Sequence, residues 1–118
     1  MIDSRGLIAL LRKCLESYTP KVERVAQIEW DTEDGATPPP LPYALVVPQS
    51  SRYVYAGERV AREYTTYDVE LYTRGRDLAL ERSIADALAV ERVKFRKWLN
   101  PLGHGVNETI YELTVIGI

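Results

Sequence analysis

The stretch Tyr67-Asp-Val-Glu-Leu-Tyr-Thr73, followed closely by Asp77-Leu-Ala-Leu-Glu81, decides the fold expected of this chain. In its first part, apolar residues alternate with acidic ones, which is the period-2 pattern of a half-buried strand. In its second part, an aspartate that can cap a helix is followed by Leu80, Ile84 and Leu88, spaced four residues apart. A strand therefore leads into an amphipathic helix, and we expect their apolar sides to meet in a core.

The rest of the sequence extends this pair into one α+β domain. Leu7, Leu11 and Leu15 predict an earlier amphipathic helix, and shorter apolar or alternating runs predict further strands. Pro48 is expected to stop one strand, and Ala56-Gly57 is expected to form a tight turn. The predicted helices span about 4–18 and 77–91, and the strands about 22–30, 43–47, 53–55, 60–73, 93–99 and 108–117. We expect an antiparallel or mixed sheet packed against two helices, a sandwich of two layers.

Composition and charge favour one globular domain and argue against a disulfide-stapled, exported or membrane-spanning protein. The chain has 118 residues, of which 46% are hydrophobic and 27% charged, the balance of one ordinary globular domain. Cys14 is the single cysteine, so no disulfide forms within the chain and a reducing cytoplasmic origin is expected. The apolar run at 7–11 is too short for an export signal or a membrane span. A formal net charge of -2 gives no overall attraction for nucleic acid.

Motifs that carry catalytic or metal chemistry are not recognisable in the sequence. One cysteine and one histidine, far apart, do not predict a zinc site, and His104 between two glycines is typical of a hairpin tip. The segment Asp31-Thr-Glu-Asp-Gly35 has its glycine one position too early for a calcium loop. The carboxylate pairs Asp68 with Glu70 and Asp77 with Glu81 are expected on solvated faces. We therefore predict no catalytic residues, no metal and no cofactor, and a protein that is not an enzyme.

A tyrosine- and arginine-rich hairpin is the best candidate for a subunit interface. Both residue types are enriched where proteins meet, because each combines a large apolar area with a polar end. Cross-strand packing on an exposed sheet face is the alternative explanation of the tyrosines. The candidate interface residues are Arg52, Tyr53, Tyr55, Arg59, Arg62 and Tyr64.

A second candidate surface is the basic segment at 92–98. Strand alternation predicts a common face that could contact phosphates and stack a base, formed by Arg92, Lys94, Arg96 and Trp98. The favoured alternative is that these charges protect an exposed sheet edge from unwanted pairing. A face that meets an acidic partner is a third interpretation.

Residues 38–116 resemble, in order, the small tail terminator or tail completion proteins of long-tailed bacteriophages and prophages. The resemblance consists of a proline-rich loop entering a strand at Pro42-Tyr43, the Ala56-Gly57 turn, and the strand and helix quoted first. It continues through Val93-Lys-Phe95 and Thr109-Ile-Tyr111-Glu112. It covers about two thirds of the chain and includes no catalytic motif.

That resemblance implies a virion structural protein in the tail or neck, made in the host cytoplasm. Members of the family form a hexameric ring that caps the tail tube, ends its growth and docks onto the head connector. The implied partners are copies of the chain itself, a tail tube protein and a head connector protein, with no membrane and no nucleic acid. A neighbouring head-tail joining role, a small nucleic-acid-binding module using 92–98 and, last, an enzyme on an unrecognised scaffold stay as alternatives.

Overall fold

A computed structural model describes residues 2–28 and 38–116. Its two helices and five strands follow in the order α1 (Ser4–Leu15), β1 (Val25–Gln27), β2 (Tyr43–Ala56), β3 (Arg59–Arg74), α2 (Leu78–Val90), β4 (Phe95–Gly103) and β5 (Val106–Ile116). The predicted acidic segment 31–35 and the end of the predicted strand 22–30 fall in 29–37, outside the described residues.

The strands form one mixed sheet in the order β1-β2-β3-β5-β4. β1 pairs parallel to β2, and the other three pairs of neighbours are antiparallel. Both helices lie on one face of the sheet, where their apolar stripes meet β2, β3 and β5 in the core. This is the predicted α+β sandwich of two layers, and the sheet is of the mixed kind.

Both helices begin at an aspartate cap, and the cap of α2 is the predicted one. The carboxylate of Asp3 accepts a hydrogen bond from the amide of Gly6, and that of Asp77 accepts one from Leu80. The predicted spacing of four residues places three fully or almost fully buried side chains on each helix. On the sheet, Val69 and Leu71 are fully buried, as their alternation predicts.

β2 differs most from the prediction, because it continues through Pro48 and joins the two predicted strands 43–47 and 53–55. The register with β3 shifts between Pro48 and Ser50, which marks a β-bulge. β1 pairs only with Ala44–Val46, so Pro48 lies where β2 has lost its second neighbour. A strand tolerates proline at such an edge, since the missing amide hydrogen is not needed for pairing.

Other boundaries move by a few residues. α1 ends at Leu15 instead of 18, because the residue before Pro20 is disfavoured in a helix. The described part of the predicted strand 22–30 is paired only over Val25–Gln27. β4 starts at Phe95 and runs to Gly103, and a short turn containing His104 joins it to β5, as its flanking glycines predict.

Candidate assembly surfaces

The β2–β3 hairpin extends beyond the rest of the sheet. β5 pairs with β3 only from Tyr64 onward, so residues 53–63 of the hairpin pair only with each other. Residues 50–63 are here called the arm, which includes the short stretch of β2 that pairs with residues 64–66. The seven residues of β2 at 50–56, at roughly 3.3 Å each, give the arm a length of about 20 Å. Neither helix covers it, and residues 50–62 are all exposed. The arm is therefore a two-stranded projection, an arrangement of marginal stability in water when it has no partner.

The arm gathers five of the six interface candidates, with the sixth, Tyr64, at its base. The guanidinium carbon of Arg52 lies 5.1 Å from the centre of the Tyr64 ring, directly across the two strands. Tyr55 is 62% exposed, and Tyr53 is also exposed. Among the described residues, no ion pair involves Arg52, Arg59 or Arg62. The hairpin thus carries unpaired cations and uncovered aromatic surface together.

The sheet face away from the helices carries a group of carboxylates, here called the acidic face: Asp68, Glu70, Glu108 and Glu112. Asp68 lies opposite Glu112, and Tyr72 opposite Glu108, in the pairing of β3 with β5. Apolar side chains of the neighbouring strands surround the group, among them Leu45 and Ile110. The four carboxylates are half-buried or buried although they face away from the core.

Tyr72 connects two of these carboxylates. Its hydroxyl lies 2.8 Å from Oε1 of Glu70 and 2.8 Å from Oε2 of Glu108. A hydroxyl donates one hydrogen bond only, so it bonds both groups at once only when one carboxyl is protonated and donates to it. Asn100 gives Glu108 a second donor, at 3.0 Å.

Partial burial raises the pKa of Asp68, and the charges of Glu112 and Glu108 raise it further. The pKa of Glu70 is also raised, first by burial and then by its acidic neighbours, although the hydrogen bond from Tyr72 opposes this. Oδ1 of Asp68 is buried without a hydrogen-bond partner in the described structure. In the isolated chain these two carboxylates thus lie in a surrounding that disfavours their charge.

The prediction of solvated faces for the carboxylate pairs is wrong. Glu81 is 1% exposed and lies in the core layer, where Arg76 and Lys97 pair with it at 3.0 and 2.9 Å. Burial alone raises the pKa of Glu81, but hydrogen bonds from the two cations more than offset this and hold that pKa below its ordinary value. Asp77 caps α2 and accepts a hydrogen bond from the hydroxyl of Tyr18 at 2.7 Å.

The predicted common face of the segment 92–98 forms only in part. Arg92 adopts a φ of 59° in the turn after α2, so it lies outside the strand. Arg96 and Trp98 share the face away from the helices, with the guanidinium 5.8 Å from the indole ring. Arg96 also pairs with Glu112 at 2.9 Å. β4 is an edge strand of the sheet, where charges hinder unwanted pairing.

A surface depression of about 500 Å³ brings three of these cations near one another. It lies at the start of β4, and Arg92, Lys94 and Arg96 line it together with Tyr64 and Glu112. The depression contains negative as well as positive charge, because the carboxylate of Glu112 lies in it and pairs with Arg96. The depression is thus a weaker anion site than the sequence alone suggests.

Sequence reasoning placed Asp68 and Glu70 on one strand face but did not join them to Glu108 and Glu112. The alternation of β3 is a local pattern, whereas the meeting of the four carboxylates depends on the register of β3 with β5, about 40 residues later. The alternation of polar residues along β5 could have predicted this meeting, because it places Glu108 and Glu112 in a second acidic row on one side of the sheet.

No protein-family model matches the chain, and no curated protein matches it. One solved structure that matches is a chain from "Virion of native gene transfer agent (GTA) particle". It is 11% identical, the match covers 93% of this chain and 92% of that chain, and the TM-score is 0.39. A TM-score of this size does not establish a common fold, so nothing about this chain follows from the likeness.

No helix within residues 2–28 and 38–116 has the length and apolar character required to cross a membrane.

Proposed function

We propose that this protein is a structural subunit of a phage-type virion, a tail terminator or tail completion protein that assembles into a ring of identical copies. The ring stops growth of the tail tube at its head-proximal end and joins it to the head connector. In this role the chain catalyses no reaction. The resemblance of residues 38–116 supports the identity of the assembly, and the arm supports assembly itself.

The single observation that carries the proposal is the uncovered arm. A two-stranded hairpin with exposed tyrosines and valines and three unpaired arginines is costly to maintain for an isolated monomer. A neighbouring subunit that covers it removes apolar area from water and orders the hairpin. Tyrosine and arginine are also the residue types that contribute most at the centres of protein interfaces.

The test compares assembly of the wild type with an arm variant, Tyr55→Ser with Val60→Ser. Both side chains are exposed on the arm, so the variant is expected to fold as the wild type does but to lose ring formation. The matched control, Leu78→Ser with Val90→Ser, removes exposed apolar side chains of similar size from α2. Negative-stain microscopy and light scattering over a concentration series measure the assemblies.

A functional readout completes this test. Purified protein added to polymerising tail tubes is expected to cap them and shorten their length distribution, and the arm variant is expected to leave tube length unchanged. Wild-type protein that neither forms rings nor limits tube length would rule out the proposed function. An arm variant that caps tubes as well as the wild type would rule out the role of the arm.

Nucleic-acid binding through the depression at the start of β4 is the second candidate, favoured by its three basic side chains. It predicts DNA affinity that falls steeply with salt and is lost when Arg92, Lys94 and Arg96 are changed to glutamine. The mixed charge contributed by Glu112 makes this candidate weaker than the first.

A further inference from the structure

The face of the sheet opposite the helices has no covering layer among residues 2–28 and 38–116, since both described helices pack on the other face. It is not a simple solvated surface. The stacked rings of Tyr43 and Tyr72, 5.0 Å apart, border the carboxylates, and Leu45 and Ile110 lie in the same surface. An apolar border around half-buried charges is typical of an interface that a partner completes.

The acidic face lacks enough cations of its own. Its one ion pair within the described structure is that of Glu112 with Arg96, and the Arg96 side chain is 76% exposed. Asp68 and Glu70 make no ion pair with the described residues. A partner for this face therefore has to bring positive charge.

The arm carries such charge. Register places Arg52 opposite Tyr64 and Val54 opposite Arg62, so the two arginines share one side of the arm with apolar neighbours. Arg59, at the turn, adds a third cation without an ion pair among the described residues. Of the two glutamates of the arm, Glu63 lies opposite Tyr53 on its other side, and Glu58 lies in the turn. The side of the arm that carries Arg52 and Arg62 is thus opposite in charge to the acidic face, and both have apolar surface.

The arm does not reach the acidic face of its own chain. Arg62 and Asp68 lie on the same continuous strand, six residues apart, which corresponds to about 20 Å of extended backbone. An arginine side chain is far shorter than this distance, and a paired strand does not fold back on itself. Arg52 lies opposite Tyr64, four residues or about 13 Å of strand from Asp68, and neither arginine forms an ion pair with the acidic face in the described structure. The complementary charges can therefore meet between two molecules.

We infer that the arm of one copy of this chain packs on the acidic face of a neighbouring copy, with Arg52 and Arg62 placed against Asp68 and Glu70. The contact joins two different surfaces of the same protein, and such a contact repeats from copy to copy and forms a ring where the rotation between copies closes. The inference rests on the proposed function and names the two surfaces that meet in the ring. It also explains why carboxylates remain in a surrounding that disfavours their charge, because bound arginines reverse that effect.

The experiment measures self-association by analytical ultracentrifugation for the wild type, an arm variant (Arg52→Gln with Arg62→Gln) and a face variant (Asp68→Asn with Glu70→Gln). Each variant is expected to weaken the association constant about tenfold or more, because it leaves the opposing charges unpaired in the contact. Wild-type association is expected to weaken between about 50 mM and about 500 mM salt, and this dependence should be smaller in both variants.

Two controls separate the contact from misfolding and from net charge. Glu16→Gln with Asp86→Asn changes the net charge as the face variant does, but at exposed positions at the end of α1 and on α2, and association should be as strong as in the wild type or stronger. The face variant should melt at or above the wild-type temperature, because it removes charges that burial disfavours.

A charge-reversed mixture gives the sharpest result. Copies with Arg52→Glu and Arg62→Glu are expected to be monomers alone, and so are copies with Asp68→Lys and Glu70→Lys. Mixed together, each arm meets an opposite face on the other copy, and association should return. Should the lysine variant not fold, its place is taken by the neutral face variant. Its intact arm meets the intact acidic face of the arm-reversed copy, so the mixture should form dimers more strongly than either variant alone and no larger assembly.

The outcomes distinguish this inference from the proposed function. Suppose that the Arg52→Gln with Arg62→Gln variant loses rings but the face variant associates as the wild type does. The acceptor surface is then elsewhere, and the inference fails while the proposed function stands. If both variants weaken association but no preparation caps tail tubes, the contact stands and the proposed function fails. Wild-type protein that stays monomeric at all concentrations, with and without tubes, overturns both.

Discussion

The two faces of the sheet treat carboxylates in opposite ways. On the helix side, Glu81 is almost fully buried, yet two cations hold it and its pKa is lowered. On the other side, Asp68 and Glu70 are less buried, have no ion pair within the described structure, and have raised pKa values. The difference shows that burial alone does not set the cost of a charge. A chain that folds around Glu81 already contains its partners, whereas the acidic face still lacks them.

The largest loss of stability is expected when the two cations that pair with Glu81 are removed. Arg76→Ala with Lys97→Ala leaves a buried carboxylate without a cation, which should lower the free energy of unfolding by about 3 kcal/mol. Urea denaturation measures the loss. Arg96→Ala, which removes the partner of the more exposed Glu112, is the control and should change stability by less than about 1 kcal/mol. Equal losses in both variants would contradict the difference between the faces.

Removing the charge of Glu81 itself should have a smaller effect. Glu81→Gln keeps the shape of the side chain but weakens its bonds to Arg76 and Lys97, at a cost of about 2 kcal/mol near neutral pH. Because the folded state lowers this pKa, the stabilisation is present above the unfolded value near pH 4.3 and is lost as pH falls through the folded one. The wild type should therefore lose more stability than Glu81→Gln on acidification below about pH 4, and a constant difference between them would be contrary evidence.

The acidic face should give the opposite pH dependence. Its raised pKa values mean that the folded state binds protons more readily than the unfolded state, so wild-type stability should rise as pH falls from neutral toward the ordinary carboxyl pKa near 4. Asp68→Asn with Glu70→Gln should remove this rise and stabilise the monomer slightly at neutral pH. Thermal melts at protein concentrations below assembly, taken across this pH range, measure both effects.

The smallest effect is expected at Tyr72. Tyr72→Phe removes the hydroxyl that both Glu70 and Glu108 contact while keeping the ring that stacks on Tyr43. We expect a loss of about 0.5 to 1 kcal/mol near neutral pH, where the hydroxyl donates to a charged group. The pKa of Glu70 should rise further, as NMR titration would show, and an unchanged titration would mean that the hydroxyl does not support its charge.

Local patterns were enough to predict the two helices, the aspartate cap of α2 and the core side of β3. These features depend on residues a few positions apart, so the pattern is visible in the chain itself. The continuation of β2 through Pro48 was not predictable, because it depends on where β1 ends. The burial of Glu81, on α2, was also missed, because one of the cations that pair with it, Lys97, lies on β4.

The candidate surfaces were predictable to different extents. The tyrosines and arginines of the arm lie close in sequence, so composition and the Ala56-Gly57 turn located them together. Its projection beyond the sheet depends on where β5 stops pairing with β3, which no local pattern contains. The basic segment was overestimated because alternation was applied to Arg92 and Lys94, which both precede the strand.

The bulge between Pro48 and Ser50 lies where β2 leaves the helix-covered part of the sheet and enters the arm. Bulges bend a strand and increase its twist, so this one fixes the direction in which the hairpin points. Both strands are continuous through this position, and the hairpin therefore has no hinge about which to swing. In a ring of such subunits, the bend at this bulge would help to set the rotation from one copy to the next, and hence the number of copies that closes the circle.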